Sequence, residues 1–449
     1  MKKALLIIIL FICGGPILCD SANAQNCTAN FLGTKTLYKA NKLKYTPAPA
    51  GYVPVFINHV NRHGARHLTK DVKTTSAYTL LIKADSLNVL TEKGKQLMQM
   101  VVALQKVEKG NTKNISAEGR DELKGLGERM YANYDNVFAG AINLNVAVTK
   151  EVRTEQSADA FLSGLKKRLK DSVAIKKTND DTHLRFYDLS PAYKSFEDNI
   201  DESEPKLSLE KAANIDAINN AVTARFFTAD FLSKLDDNAK SKFVSDVFGF
   251  ATIVYSLAAE IKQAGFTTAD LDFKSMFACD ELATIGMLDS IDENLKKGPG
   301  TDNNGIQVRV AVPLLVDFIN TADDFIRGKK FNAQLRFAHA ETIAPFAALL
   351  QIADADRASK DPSKLGASWQ ASKVIPLSSN IQWVFYKRKN ASSYLVKVLL
   401  NEQEVHITGL ATKTIYYKWT DLCALYATKL TKLGVKLTDD MNVYLNTLK

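Results

Sequence analysis

The feature that most constrains the fold of this chain is a strand-like run that ends in a cationic turn. Residues 52–57 are rich in valine, isoleucine and aromatic side chains, and the turn Arg62-His63-Gly64-Ala65-Arg66 follows soon after them. Guanidinium forks match a phosphate group bidentately, and a histidine held between them can attack a bound phosphorus. The pattern predicts a phosphate-binding nucleophile loop. Arginines beside a histidine also occur simply as exposed polar residues at a strand end, so further motifs are needed.

A second junction of the same form lies late in the chain. Residues 334–338 predict a short strand that ends in His339-Ala340-Glu341. Thr342 is predicted to cap the helix that follows, with Pro345 in its first turn. Open α/β sheets place their sites at such strand-to-helix junctions.

A third junction surrounds Arg153. Residues 144–152 predict a strand, and the apolar spacing after Thr154 predicts a helix. Arg153 would then lie where unpaired helix N–H groups already favour an anion.

Together the three junctions resemble the histidine acid phosphatases, whose first motif is Arg-His-Gly-x-Arg and whose second is usually His-Asp. The motif His339-Ala340-Glu341 is similar to that of the multiple inositol-polyphosphate phosphatases, which are phytases of the His-Ala-Glu type. Weaker matches to this family are Phe161 to Gly164, residues 184–188 and Val396 to Glu402. One departure is Leu68, which replaces an expected proline and so removes a rigid turn residue but no functional group.

The resemblance implies a histidine-phosphatase-like α/β sheet domain with an inserted all-α domain and an active site in the cleft between them. We assign residues 25–187 and 301–449 to a discontinuous α/β phosphatase domain. Residues 188–300 form the predicted α-helical insertion, because they almost lack β-branched runs and contain helical stripes. The cluster of breaker residues at 296–305 marks its exit. Later strands are predicted at 381–386 and 394–400, with a closing helix at 419–433.

The resemblance also implies a role for each catalytic residue. His63 would attack phosphorus and form a phosphohistidine, while Glu341 would protonate the leaving oxygen. Arg62, Arg66, Arg153 and His339 would hold the phosphoryl oxygens. These groups perform the charge stabilisation that a metal provides elsewhere, so no metal and no cofactor is expected.

Two further residues are candidates for binding phosphates that do not react. Lys70 falls where related phytases carry a lysine that contacts substrate, and Arg185 lies in one of the weaker family matches. A salt bridge would explain Arg185 equally well.

Metal binding is the main alternative for the histidines. His59, His63 and His67 recur at a spacing of four, which on a helix would line one face with ligands. The strand-like run before them and the interruption by Gly64 argue against that helix.

The net charge of the chain indicates which class of ligand it attracts. The chain carries a formal net charge of +9, which favours polyanions. Nucleic acid is not expected, because no basic stripe is interleaved with aromatic residues. The leading hypothesis is a phosphatase of inositol polyphosphates such as phytate. A broad-specificity acid phosphatase acting on sugar phosphates and a non-catalytic binding protein for phosphorylated ligands remain alternatives. The order of phosphate removal and the oligomeric state are left open.

The N-terminus predicts export. Residues 1–24 contain Lys2 and Lys3, an apolar stretch and an Ala-x-Ala cleavage site, as in a secretory signal peptide. We therefore expect a periplasmic or extracellular protein without stable membrane insertion. Cys27, Cys279 and Cys423 remain after cleavage and permit one internal disulfide, whose pairing stays open.

Overall fold

The structure is a computed structural model that describes residues 30–40, 44–169, 173–410 and 414–449. The predicted signal peptide at residues 1–24 and Cys27 lie outside the described residues.

A mixed β-sheet organises the larger part of the molecule. Its strands are β1 (Tyr52–Arg62), β2 (Ile142–Val148), β3 (Val173–Asn179), β4 (Ala333–Ala338), β5 (Asn380–Arg388), β6 (Tyr394–Leu400), β7 (Gln403–Glu404) and β8 (Tyr416–Lys418). Their order is β3-β2-β4-β1-β5-β6-β7, and β8 also pairs with β6. Strands β3, β2, β4 and β1 are parallel, whereas β5 runs antiparallel to β1 and to β6. The predicted α/β class is confirmed, and both predicted late strands are present.

The α-helices alternate with these strands and fill the long segment between β3 and β4. They are α1 (Ser76–Ser86), α2 (Glu92–Glu108), α3 (Ala117–Asn133), α4 (Val152–Lys166), α5 (Asp181–Leu184), α6 (Phe186–Leu189), α7 (Pro191–Asp198), α8 (Glu204–Ala212), α9 (Ile215–Ala224), α10 (Ala229–Leu232), α11 (Asp237–Ile253), α12 (Ala258–Gln263), α13 (Cys279–Lys297), α14 (Ile306–Arg309), α15 (Val312–Ile326), α16 (Ala340–Leu349), α17 (Leu365–Ser368), α18 (Ala371–Val374), α19 (Trp419–Lys432) and α20 (Met441–Thr447). Short 3-10 helices include Gly33–Lys35 and Val254–Leu257.

The start of α16 differs from the prediction. The capping residue is His339 rather than Thr342, so the helix begins three residues earlier and Pro345 lies inside it. The reason is the Thr342 hydroxyl, which accepts a hydrogen bond from the His339 backbone N–H at 3.4 Å and donates one to the Leu184 carbonyl at 2.7 Å. Thr342 therefore stabilises the first turn from within the helix.

Both faces of the sheet are covered by helices, as a largely parallel sheet requires. On one face, Trp383 of β5 packs in a core with Phe346 of α16 and residues of α15 and α19. On the other face, Phe337 of β4 packs with Phe161 of α4 and residues of α3. The carboxyl ends of β1, β2 and β4 therefore emerge together between two helical layers.

A separate hydrophobic core lies in a helical body beside the sheet. The predicted stripe of Phe243, Val247 and Phe250 is buried there on α11. Helices α1 and α2, with buried residues such as Leu81 and Leu104, belong to the same core. The helical body thus takes in residues N-terminal to the segment 188–300, while the domain boundaries themselves stay a prediction.

One stretch of this body has the length and apolar composition of a membrane span. It is Asp237–Gln263, and more than half of its most apolar window is buried inside the protein. This burial is typical of a core helix in a folded domain.

The described cysteines differ in state. Cys279, at the start of α13, is disulfide-bonded, whereas Cys423 carries a free thiol. Cys423 is therefore not the partner of Cys279.

Candidate active site

The register of the parallel strands brings the first two motifs together. Arg62 at the end of β1 lies opposite Ala338 at the end of β4, so the residues that follow them are neighbours. The His63 backbone N–H donates to the Ala338 carbonyl at 2.9 Å, and the His63 and His339 ring centroids are 5.6 Å apart. Strand β2 pairs with β4 up to Val148, which places the third junction at the same edge.

The backbone of the nucleophile loop is held by several separate elements. Two backbone N–H groups of the loop donate to helices: Gly64 to Ser157 Oγ on α4 at 3.1 Å and Ala65 to Glu122 Oε2 on α3 at 2.9 Å. Two of its carbonyls accept from backbone N–H groups: Ala65 from Ser116 at 2.9 Å and His63 from Ser378 at 3.1 Å. Because these backbone groups are paired with several separate segments, the loop has little freedom to shift.

Helix α3 approaches this loop at backbone distance. A Cβ atom on Gly119 would lie 2.1 Å from the Ala65 carbonyl oxygen, and one on Gly64 would lie 2.6 Å from the Gly119 carbonyl oxygen. Only glycines permit this contact. From the same helix, the Glu122 carboxylate also accepts from Ser378 Oγ at 2.7 Å and from the Tyr38 N–H at 2.8 Å. Burial raises the pKa of Glu122.

His63 is poised as a nucleophile. Its ring is buried, and Nδ1 lies 3.0 Å from the carbonyl oxygen of Gly64, which can only accept. Nδ1 therefore carries the proton and the lone pair is on Nε2. Burial, together with the positive charges of Arg62 and Arg153, holds the pKa of His63 well below its usual range. The lowered pKa favours the neutral ring, whose Nε2 lone pair is the nucleophile.

His339 is held in the opposite tautomer. Arg153 Nη2 donates to His339 Nδ1 at 3.2 Å, so Nε2 carries the proton and faces Thr149 Oγ1 at 3.0 Å. Burial and Arg153 lower the pKa of His339 to about 3.

The arginines of the first motif keep their charge available. Arg62 donates to the backbone carbonyls of Thr34 and Ile375, and Arg66 donates to the carbonyl of His67. Burial and the neighbouring Arg62 lower the pKa of Arg66 to about 10, so it remains charged below neutral pH. Since their partners are carbonyls rather than carboxylates, these guanidinium groups attract an anionic ligand to the loop.

Glu341 lies near the arginines of the first motif. Its Oε1 accepts from Lys297 Nζ at 2.9 Å, and its side chain is 30% exposed. Although burial alone raises the pKa of this carboxyl, Lys297 and His339 together hold it well below its usual range. Burial lowers the pKa of Arg62, and the negative charge of Glu341 opposes that shift. The proposed acid and the nucleophile loop therefore face one cleft.

Comparison with known proteins identifies the family. A model of the histidine phosphatase superfamily, branch 2, matches residues 55–401. The chain belongs to this superfamily.

Individual relatives agree with this assignment. The chain is 23% identical over 301 residues to multiple inositol polyphosphate phosphatase 1 of Gallus gallus, an alignment that spans 64% of each protein and so less than two thirds of the relative. The crystal structure of Bifidobacterium longum multiple inositol polyphosphate phosphatase in complex with inositol hexasulfate matches with a TM-score of 0.75 and 21% identity, over 88% of this chain and 96% of that one. The phytase of D. castellii matches with a TM-score of 0.63 and 14% identity, over 92% and 89%. These proteins share the fold.

The two predicted substrate-binding residues of this histidine phosphatase have different surroundings. Arg185 forms an ion pair with Glu151 at 2.6 Å and another with Asp188, and Glu151 also pairs with Arg153 at 2.6 Å. Lys70 is 60% exposed and pairs with Asp246 of α11 at 3.2 Å. Arg185 is thus linked to Arg153 through Glu151, whereas Lys70 contacts the helical body through Asp246. Their roles in binding substrate stay predictions.

Three functional candidates escaped the sequence analysis. Lys297 lies in the predicted breaker cluster, although its spacing of four from Glu293 is a helical pair that places it on α13. Glu122 carried no distinguishing pattern. Lys35 lies in the N-terminal segment near the arginines, where burial and the charge of Arg66 lower its pKa to about 8.

The alternative of a metal site on the spaced histidines finds no support in the geometry. His59 packs against the ring of Phe161, with centroids 5.4 Å apart, while His67 Nδ1 lies 3.2 Å from Glu108. His63 faces the cleft instead. Within the described ranges, no group of three or more histidine, cysteine, aspartate or glutamate side chains is arranged to hold a metal ion.

Proposed function

We propose that this protein is an exported phosphomonoesterase that removes phosphates from inositol polyphosphates such as phytate through a phosphohistidine at His63. The observation that carries the proposal is an imidazole whose Nδ1 faces the Gly64 carbonyl, which leaves the lone pair on Nε2, among the charges of three arginines that lower its pKa. This combination suits attack on a phosphate monoester, which needs a nucleophile and charge stabilisation more than it needs a metal.

Each step uses a residue of the described site. His63 Nε2 attacks phosphorus while Arg62, Arg66 and Arg153 stabilise the equatorial oxygens. The bond to the leaving oxygen breaks, and Glu341 supplies its proton. Water then hydrolyses the phosphohistidine with Glu341, now a carboxylate, accepting a proton from it.

Two observations support a highly phosphorylated substrate. The relatives described above are named as inositol-polyphosphate phosphatases or as a phytase, and one of their structures holds inositol hexasulfate. The net charge of +9 and the additional cation Lys35, close enough to Arg66 and Arg62 for their charges to lower its pKa, also favour a polyanion.

Phosphate release from phytate with a chelator present tests the activity. We expect release by the wild type and loss of release by His63→Ala. His406→Ala is the matched control, because that histidine is exposed and lies outside the site. Equal release by the wild type and His63→Ala would contradict the proposal.

Rapid quenching in alkali, in which a phosphohistidine survives, with phosphorus-labelled phytate tests the intermediate. Label trapped on His63 supports the phosphohistidine, whereas retention of intact ligand would indicate a binding protein. A higher turnover on a simple ester such as 4-nitrophenyl phosphate than on phytate would favour the broad-specificity alternative.

Export is the remaining part of the proposal. The signal-like pattern of residues 1–24 supports it, as does the disulfide at Cys279, since disulfides persist in oxidising compartments. Fractionation of the source cells and N-terminal sequencing provide the test. A cytoplasmic protein that retains Met1 would contradict export.

A further inference from the structure

Lys297 has no place in the mechanism derived so far, yet it forms an ion pair with the proposed acid. Its side chain is only 9% exposed at the C-terminal end of α13. Its ammonium joins two carboxylates, with Nζ 2.6 Å from Glu293 on its own helix and 2.9 Å from Glu341 on α16. A buried lysine between two acids is strongly held as a cation, and Glu293 and Glu341 accordingly raise its pKa against the effect of burial.

This contact creates a conflict with the chemistry. An acid that protonates a leaving oxygen needs a proton before the P–O bond breaks. The ammonium of Lys297 favours the ionised form of Glu341, which cannot donate. Some event must therefore weaken this contact before Glu341 can act.

We propose that Lys297 is a positioning residue that keeps Glu341 ionised in the free cleft and is drawn away by substrate phosphates, so that Glu341 takes up its proton only when substrate is bound. The inference rests on the proposed function. The proton comes from solvent, which reaches the partly exposed Glu341, and it leaves with the alkoxide when the P–O bond breaks. Hydrolysis of the phosphohistidine returns a proton from water to Glu341, which releases it to solvent when the product leaves and then pairs again with Lys297.

A polyanion bound in the cleft favours both changes, the protonation of Glu341 and the release of Lys297. A polyanion in the cleft adds negative potential, which favours the protonated form of any carboxyl close to it. It also competes with Glu341 for Lys297, because phosphate oxygens accept hydrogen bonds from an ammonium as a carboxylate does. The charged and titratable groups that face Lys297 and Glu341 are Glu293, Asp289, Tyr193, Glu197, Tyr187, His339, Arg62 and Arg66.

The chain provides a matched control on the next residue. Lys296 is also a lysine in the last turn of α13, and it pairs with Asp292 at 2.8 Å and with Asp201 at 3.5 Å. Neither of these ion pairs involves Glu341. Substitution of Lys296 therefore removes a comparable salt bridge from the same helix end without touching the proposed acid.

The test measures proton uptake when inositol hexasulfate binds. Sulfate groups do not titrate in the working range, so every proton taken up belongs to the protein. Calorimetric titrations at about pH 5 in two buffers of different ionisation enthalpy give the number of protons. We expect wild type and Lys296→Met to take up about one proton more than Lys297→Met, in which Glu341 is already protonated before binding.

A second variant guards against misfolding of Lys297→Met. Glu341→Gln keeps the lysine but lacks the titrating carboxyl, so its uptake should fall by a similar amount. The pH profile of kcat/KM adds a readout that a purely structural role would not move. Its alkaline limb should shift to higher pH in Lys297→Met and stay in place in Lys296→Met, because kcat/KM reports the free enzyme.

The outcomes separate this inference from the proposed function. Equal proton uptake by wild type, Lys297→Met and Glu341→Gln would overturn the role of Lys297 while leaving the phosphatase activity intact. Absence of inositol hexasulfate binding to the wild type would contradict the substrate class and this inference with it.

Discussion

Gly119→Ala should impair the active site without direct contact with substrate. The added Cβ would lie 2.1 Å from the Ala65 carbonyl oxygen, 2.6 Å from the Ala65 nitrogen and 2.9 Å from its carbonyl carbon. The first distance is about 1 Å shorter than the closest contact that such atoms tolerate. Helix α3 and the nucleophile loop must therefore separate by a similar amount.

The size of the effect follows from this displacement. A shift of about 1 Å in a reacting group can cost on the order of 100-fold in rate, which corresponds to about 2.7 kcal/mol of transition-state stabilisation. Overpacking in a close contact costs about 1–3 kcal/mol of folding free energy. We expect kcat/KM for phytate to fall about 100-fold in a protein that remains folded at 25 °C.

Gly249→Ala is the control. Gly249 lies within α11, and a Cβ there would meet nothing within 4 Å. The change should leave kcat/KM unaltered and stabilise the protein by up to about 1 kcal/mol through helix propensity. Urea unfolding and steady-state phosphate release measure both quantities. Gly119→Ala with kcat/KM within about twofold of the wild type would refute the argument that this backbone contact places the loop.

Three further predictions concern the supports of the site. In Glu122→Gln an amide NH2 group must face backbone or hydroxyl donors, so we expect the free energy of unfolding to fall by about 1–3 kcal/mol in urea titrations. The exposed Asp121→Asn is the control and should leave it unchanged; equal losses in the two variants would contradict this. Thr149→Val removes the acceptor of the His339 Nε2–H and should lower kcat about tenfold in steady-state assays. The exposed Thr428→Val should leave kcat unchanged. An unaltered kcat in Thr149→Val would argue against the tautomer assigned to His339. Burial lowers the pKa of His59 to about 3, so the unfolded chain binds more protons as pH falls from 6.5 towards 3 and stability is lost in that window. His59→Leu should reduce that slope by up to about 1.4 kcal/mol per pH unit in urea titrations, and an unchanged slope would contradict it.

Much of the site could be predicted because its residues lie at local junctions. A strand that ends in a turn or a helix is visible in the spacing of apolar side chains, and each of the three junctions carries its own cationic or acidic residues. The placement of Arg62, His63, Arg153, His339 and Glu341 at one sheet edge follows once parallel strands are assumed.

The misses share a physical cause. The start of α16 depends on a hydroxyl bond from Thr342 to the distant Leu184 carbonyl, which no local pattern records. The helical body includes α1 and α2 because their apolar faces meet α11 across a long sequence separation. Glu122 matters only because α3 brings it beneath the nucleophile loop.

The amino-acid sequence by itself determined the α/β class, the three junctions and the chemical types of the groups that can bind and attack a phosphate, because these depend on periodicity and on neighbours along the chain. Only the tertiary structure decided the strand register that sets His63 beside His339, the glycine contact that places the loop, and the pairing of Lys297 with Glu341. These features join residues far apart in the chain, and their energies come from packing and from charge at distances of a few ångströms.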